Sequence, residues 1–370
     1  MRTYLRRGLA VAAVAVIAVG VSACGKAKQS GGNDNSGKGV SVSQGFKIGI
    51  LLPESKTARY EKFDRPYLEA DLKKLCPKCT FEYRNANQDA DTQRQQVDSV
   101  LAAGVKVLIL DSVNYKSIQS SVSKAKSQGV PVVAYDRLAT GPIAAYSSFD
   151  NTKIGELQGQ AFLKAISAKG DPKRGKVILV NGSPDDPNAP DFKKGMHSVL
   201  DGKVNVGAEY DTTDWSPDGA RQEVSGAISK VGAKNVVGVY AANDGMAGGA
   251  IAALKAAGIS PVPPVTGQDA ELAGLQRILT GEQYATIYKS IKPQAQAAAE
   301  MAVALAQGKK WTGGSDTVNN GSVTVPAKIV PATTVTKDNI ESTVVADGYW
   351  KASEICTPKY AQACTAAGVK

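Results

Sequence analysis

Histidine is nearly missing from this chain: His197 is the only one in 370 residues. A Ser-His-Asp set cannot be assembled without it. Its helical neighbours Met196 and Val199 mark it as a surface or packing residue rather than a base or metal ligand. Dense positive charge is missing too. The formal net charge is +10, yet no block of five or more basic residues occurs, and lysines such as Lys124, Lys126, Lys193 and Lys194 are scattered. A solvated surface follows, not a nucleic-acid interface. A phosphate-binding loop would need glycines running into a helix with a lysine; Gly245-Met-Ala-Gly248-Gly249 is the nearest stretch and reads as close helix packing. Asn85-Ala-Asn87-Gln-Asp89-Ala-Asp91 alternates oxygen ligands like a calcium loop. Its sixth position is not Gly and its twelfth is Gln96, so a capped helix entry is the better reading. No carboxylate pair stands out for glycoside hydrolysis. The chain therefore reads as a non-enzyme with no metal and no cofactor.

Long apolar runs are also absent. The one near the start, Leu9–Val21, is too short to span a membrane comfortably and follows Arg2, Arg6 and Arg7. With Ser22-Ala23 behind it, residues 1–23 read as a secretory signal peptide. Arg6-Arg7 would also suit a twin-arginine route, which the sequence leaves open. Val21-Ser-Ala-Cys24 resembles the lipobox of bacterial lipoproteins, which implies that Cys24 is lipidated. Residues 24–45, rich in Gly, Ser, Asn and Lys after the cysteine, read as a flexible tether. Four cysteines remain, an even number in an exported chain. Three pairings are possible; proximity favours Cys76 with Cys79 and Cys356 with Cys364. A redox role for Cys76-Pro-Lys-Cys79 is disfavoured because the motif follows a helix instead of opening one.

From Phe46 on, apolar runs of strand length alternate with amphipathic runs of helix length. Strands are expected at Lys47–Leu52, Thr80–Tyr83, Val105–Leu110, Pro131–Tyr135, Ala145–Phe149, Val177–Val180, Val206–Tyr210, Val236–Tyr240, Val265–Gly267 and Ala285–Tyr288. Such alternation means parallel sheets with crossover helices. Ten strands are too many for one compact core, so the fold class is α/β with two Rossmann-like lobes and a cleft between them. The first lobe is expected to hold residues 46–150 plus about 290–320. The second is expected to hold 151–289 plus about 325–370.

Strand ends in open α/β sheets carry the ligand contacts. Here they carry Arg59 and Tyr60, Asn85 and Asn87, Asp111, Asp136-Arg137, Asn188, Asp214-Trp215, Asn243-Asp244, Gln268-Asp269 and Lys289. Singly, each suits a turn or a helix cap. Together they make a rim that suits a neutral polyhydroxylated ligand, because carboxylate, amide and guanidinium each take neighbouring hydroxyls and aromatic faces take C–H faces.

The stretches "ARYEKFDR", "VVAYDRL", "SSFDNTKIGELQ", "NGSPDDPNA", "ANDGMAGGAIAAL", "TGQDAELAGLQRI" and "GEQYATIYK" together resemble the periplasmic sugar-binding proteins of ABC transporters, in the branch of xylose-binding and multi-sugar aldose-binding proteins. The resemblance implies the periplasmic-binding-protein type I fold, three hinge crossings and closure on a pyranose. It also implies Arg59, Asp136, Arg137, Asn188, Asn243, Asp269 and Lys289 as sugar contacts, with Tyr60 and Trp215 stacking. Asp136 and Arg137 are expected to hold each other's charge while binding adjacent hydroxyls. Tyr60 stands where a Trp is usual, and Pro187 and Pro190 flank Asn188, so the pocket departs from the family pattern at these positions. The expected protein is a monomeric, lipid-anchored receptor on the outer face of the membrane. It would bind an aldose such as xylose or glucose and deliver it to an ABC permease. A sugar sensor for a membrane receptor, or an exported carbohydrate enzyme, are the alternatives.

Overall fold

The computed structural model describes residues 39–370. The signal peptide, Cys24 and most of the tether lie outside the described residues. The tether ends earlier than expected: Val40 N–H donates to Ala306 O at 3.0 Å, so residues 40–45 already form a turn packed on the first lobe.

Short runs of aliphatic and β-branched residues form the strands of that lobe. They are β1 (Lys47–Leu52), β2 (Thr80–Asn85), β3 (Val107–Leu110), β4 (Val132–Tyr135) and β5 (Ala145–Phe149). Every residue of β3, β4 and β5 is buried, as a parallel sheet covered on both faces requires. The helices are α1 (Arg65–Leu75), entered through a π-helical turn at Tyr60–Asp64, then α2 (Ala90–Ala102) and α3 (Gln119–Ser127). Asp89 caps α2 by accepting from Thr92 N–H at 2.5 Å, the capped entry expected in place of a calcium loop.

The second lobe begins at α4 (Asn151–Ser167). It continues through β6 (Lys176–Asn181), α5 (Asn188–Leu200), β7 (Val206–Asp211), α6 (Pro217–Val231), β8 (Val236–Ala241), α7 (Asp244–Ala256), β9 (Val265–Thr266), α8 (Leu272–Thr280) and β10 (Thr286–Lys289). The chain then returns to the first lobe as α9 (Ile291–Ala306), β11 (Asp316–Asn319) and β12 (Thr324–Val330). It ends on the second lobe with β13 (Ala332–Val335), α10 (Ala352–Ile355) and α11 (Ala361–Ala367).

The first sheet runs β11-β12-β5-β4-β3-β1-β2, parallel except for the β11–β12 pair. Alternation along β1 divides its sides: Ile48, Ile50 and Leu52 pack with α1 and α9, Leu51 with α2 and α3. The second sheet runs β7-β6-β8-β9, and a bridge from Thr266 to Ala285 carries it on into β10 and antiparallel β13. Crossings fall at Asp150, Ser290 and Pro331. The last lies later than the expected boundary near residue 325, because Ala327–Val330 of β12 pair with Tyr146–Phe149 of β5. Pro326 lies within β12, opposite Thr317 of the edge strand β11. Disulfides join Cys76 to Cys79 and Cys356 to Cys364.

Gly249 shows why the glycine run in α7 is there: a Cβ at that position would lie 2.0 Å from Pro217 O of α6. Backbone cannot move aside as a flexible side chain could. Gly249→Ala is therefore expected to lower unfolding stability by about 1–3 kcal/mol, measured by denaturant titration. An unchanged midpoint would contradict this close approach of α6 and α7.

Candidate functional site

The turn after β1 places Arg59 and Tyr60 between the lobes. Arg59 is 3% exposed, so its guanidinium must find its partners inside the protein. Nε and Nη2 donate to the two oxygens of Asp64 at 2.9 and 2.7 Å, Nη1 donates to Asp136 Oδ1 at 3.2 Å, and Nη2 donates to Gln294 Oε1 of α9 at 3.1 Å. Gln294 Nε2 in turn donates to Asp136 Oδ1 at 3.2 Å. Asp136 closes β4 in the left-handed region, φ +58°. Its carbonyl is held there by the hydroxyls of Tyr146 (2.9 Å) and Ser148 (2.6 Å). Burial alone would push the Asp136 carboxyl up, but Arg59, Lys289 and Arg137 together hold it below the usual carboxylate range. It stays ionised.

Arg137 does not pair with its neighbour Asp136, contrary to expectation. Its Nε lies 2.8 Å from Asp186 Oδ2 of the opposite lobe and 3.5 Å from Asp111 Oδ1. Nη1 donates to Ser112 O at 3.2 Å and Nη2 to the Tyr60 hydroxyl at 3.3 Å. Successive residues at a strand end point to different sides, so adjacency in sequence did not become contact. Asp111 is fully buried, and both its oxygens lack a hydrogen-bond donor. Burial, then the charge of Asp136, push it well above the usual range.

The second lobe supplies the other wall. Asn243 caps α7 through Oδ1, accepting from Met246 N–H at 2.7 Å. Behind it, buried Asp244 accepts from Gln283 Nε2 (2.6 Å), Thr286 Oγ1 (2.9 Å) and Glu271 N–H (2.9 Å). That carboxyl joins the segments that carry Asn243, Asp269 and Lys289. Lys289 Nζ sits 2.7 Å from Asp269 Oδ1 and 5.3 Å from the Phe192 ring centroid. Asn188 opens α5 and accepts from Asn151 Nδ2 at 2.8 Å. The Trp215 indole lies over Gly182, where a Cβ would stand 1.9 Å from the ring, so Gly182 makes room for it.

All nine residues singled out from the sequence (Arg59, Tyr60, Asp136, Arg137, Asn188, Trp215, Asn243, Asp269 and Lys289) line one cavity, partly open to solvent. Thr57, Asp186, Phe192 and Ala242 complete it. Phe192 was missed because an apolar residue on α5 reads as core. Asn85, Asn87 and Asp214, also at strand ends, do not line it. Each cation of the lining has a carboxylate within 3.2 Å: Arg59 with Asp64 and Asp136, Arg137 with Asp186, Lys289 with Asp269. The walls are charged yet internally neutralised, which suits an uncharged ligand with many hydroxyls. The lobes are closed on each other at the rim, where Lys56 Nζ meets Asp214 Oδ2 at 2.7 Å and Asn114 Nδ2 donates to Asp185 Oδ1 at 2.7 Å. His197 lies away from the cavity, bonded to Asp201 (2.7 Å) and Glu209 (3.0 Å). Among the described residues no cluster of potential metal ligands occurs.

Residues 48–310 match a family model described as a periplasmic binding protein domain. The D-xylose-binding periplasmic protein of Escherichia coli (strain K12) is 36% identical over 315 residues, 84% of this chain and 92% of that protein. The multiple sugar-binding periplasmic protein of Azospirillum brasilense is 32% identical, over 82% of this chain and 89% of the relative. A solved ABC transporter solute binding protein from Clostridium phytofermentans, with bound β-D-glucose, aligns with a TM-score of 0.77. It is 25% identical, over 84% of this chain and 99% of that one.

Two carboxyls behind the site make stability depend on pH. Burial pushes Asp244 up to about 7, and burial, with Asp244 and Asp269 nearby, pushes Glu271 up to about 8. An acid raised by folding binds more protons folded than unfolded, so its contribution falls as pH climbs from the unfolded value through the folded one. His197 acts in the same direction: against the cost of burial, its hydrogen bonds to Asp201 and Glu209 raise it, and that stabilisation is lost as it deprotonates. The melting temperature should fall between about pH 4 and pH 8, and Glu271→Gln should flatten the fall. An equally steep decline in the variant would remove the carboxyl pair as its source.

Proposed function

The chain belongs to the periplasmic binding protein family, with D-xylose-binding and multiple sugar-binding proteins among its relatives, and on that premise we propose that it binds a single aldopyranose of the xylose or glucose type. The observation that carries this reading is the convergence of the nine residues, from segments as far apart as Arg59 and Lys289, on one charge-compensated cavity. Arg59, Asp136, Arg137, Asn188, Asn243, Asp269 and Lys289 would take the ring hydroxyls. Tyr60 and Trp215 would cover the sugar's C–H faces, and Phe192 adds apolar wall. Ligand touching both lobes stabilises the closed state relative to the open one, so binding and hinge closure are one equilibrium.

In this reading the protein is a monomeric receptor held on the outer face of the membrane by lipid on Cys24. The closed, loaded form is what an ABC permease receives. The similarity of the chain to solute-binding proteins supports the reading over a catalytic one. So does Asp136, held ionised by three cations rather than poised near neutrality as a general acid would be.

Calorimetric titration of residues 39–370 against xylose, glucose, galactose, arabinose and ribose tests this. One or two sugars should bind at micromolar affinity or better. Asp136→Ala should weaken binding by about 100-fold or more, since it strips a buried partner from Arg59, while circular dichroism still shows folded protein. Silence of folded wild-type protein across the panel would refute the sugar reading, and unchanged affinity in the variant would remove Asp136 from the site.

A further inference from the structure

We propose that the C-terminal segment belongs to the binding machinery: Tyr349 and Trp350 are positioning residues that hold the turn carrying Asp269, and Phe63 ties that turn to the one carrying Arg59 and Tyr60. The ligand side of this inference rests on the sugar-binding reading above; the mechanical side does not.

Asp269 and Ala270 are consecutive non-glycine residues in the left-handed region, φ +85° and +46°. Such a conformation persists only when the surroundings over-determine it. The turn's N–H groups face β10, with Asp269 N–H donating to Ile287 O at 2.9 Å and Ala270 N–H to Thr286 Oγ1 at 3.1 Å. Its carbonyls face the C-terminal segment: Trp350 Nε1 donates to Ala270 O at 2.8 Å and the Tyr349 hydroxyl to Asp269 O at 3.4 Å. Half of the backbone restraints on the turn therefore come from two side chains about 80 residues away.

Those aromatics also reach the other lobe. Phe63 follows Tyr60 in the first lobe, yet its side chain is buried in the core of the second. Its ring stacks on Tyr349 at 3.9 Å and meets Trp350 edge-on at 5.1 Å. Lys62 Nζ stands 4.1 Å from the Trp350 ring centroid and 3.0 Å from Glu354 Oε1. The segment is fastened at the hinge, where the hydroxyls of Tyr288 and Ser290 donate to Asp347 Oδ2 and Lys292 Nζ donates to Asp347 O at 2.6 Å. At its far end Gln276 Nε2 of α8 donates to Ile355 O at 3.2 Å, next to the Cys356–Cys364 disulfide. A path thus runs from the π-helical turn that carries Tyr60, through the Phe63 ring and Tyr349, to Asp269.

The test is amide hydrogen exchange on the ligand-free mature protein, with Tyr349→Phe/Trp350→Phe, which removes both donors; the Tyr349 ring is kept, and the Trp350 indole is cut back to a phenyl. Residues 268–272 should exchange faster while β6 is unchanged. Phe63→Leu should speed exchange at both 268–272 and 60–64. Calorimetry with the sugar that wild type binds should show affinity about tenfold weaker in the double variant, and the ligand-free melting temperature should fall because buried carbonyls lose their donors and the core loses part of the indole. Unchanged exchange at 268–272, or a rise of equal size throughout the protein, would overturn the positioning role. An effect of Phe63→Leu confined to 60–64 would overturn the tie between turns. If wild type binds no sugar, the functional reading fails and the exchange results still decide this one. Should the double variant not fold, Tyr349→Phe alone, which keeps its ring, reads the same amides.

Discussion

A guanidinium sealed from water must have its charge and its hydrogen bonds answered by the protein, and the arrangement around Arg59 follows from that demand. Asp64 comes from the π-helical turn, Asp136 from the end of β4 and Gln294 from the helix that returns after the second crossing. Tyr135 adds a hydroxyl to Asp64 at 2.5 Å. Losing any partner would leave a buried charge exposed to its desolvation cost, so these elements hold one another in place. Asp136 is consequently fixed in position and ionisation before any ligand arrives, which is what precise recognition of hydroxyl positions requires.

The same logic extends across the cleft. Arg137 finds its nearest carboxylate, Asp186, in the other lobe, and the Asn188 amide lies 3.4 Å from the Asp136 carbonyl. Closure thus completes the charge balance of the cavity as well as its shape. Three lining residues, Asp136, Trp215 and Asp269, hold left-handed backbone. Each costs about 1–3 kcal/mol and persists through its neighbours' restraints. The strain sits where side chains must be aimed rather than packed.

Much of the fold was legible because buried parallel strands read as apolar runs, and all ten expected strands are present with small shifts at their ends. The later boundary was not legible because β12 joins the first lobe by pairing with β5, far away in sequence, and no local pattern marks that contact. The cavity lining was legible since strand ends carry polar residues that a buried sheet would otherwise exclude. The partners behind the lining were not. Gln294 meets Arg59 across 235 positions and Tyr349 meets Asp269 across 80, and neither carries a local pattern that betrays the contact. The expected Asp136–Arg137 pair failed for the converse reason, since proximity in sequence said nothing about direction.

The central claim is that a cavity whose charges are already matched selects a neutral polyol. Its most direct test is competition, in one calorimetric series, between the best-bound aldose and the matching uronic acid and amino sugar. The account predicts tight binding of the neutral sugar and a loss of about 100-fold or more for both charged analogues, which bring a buried charge with no free partner. Equal or tighter binding of the uronate would contradict it and reassign Arg59, Arg137 or Lys289 as an anion receptor.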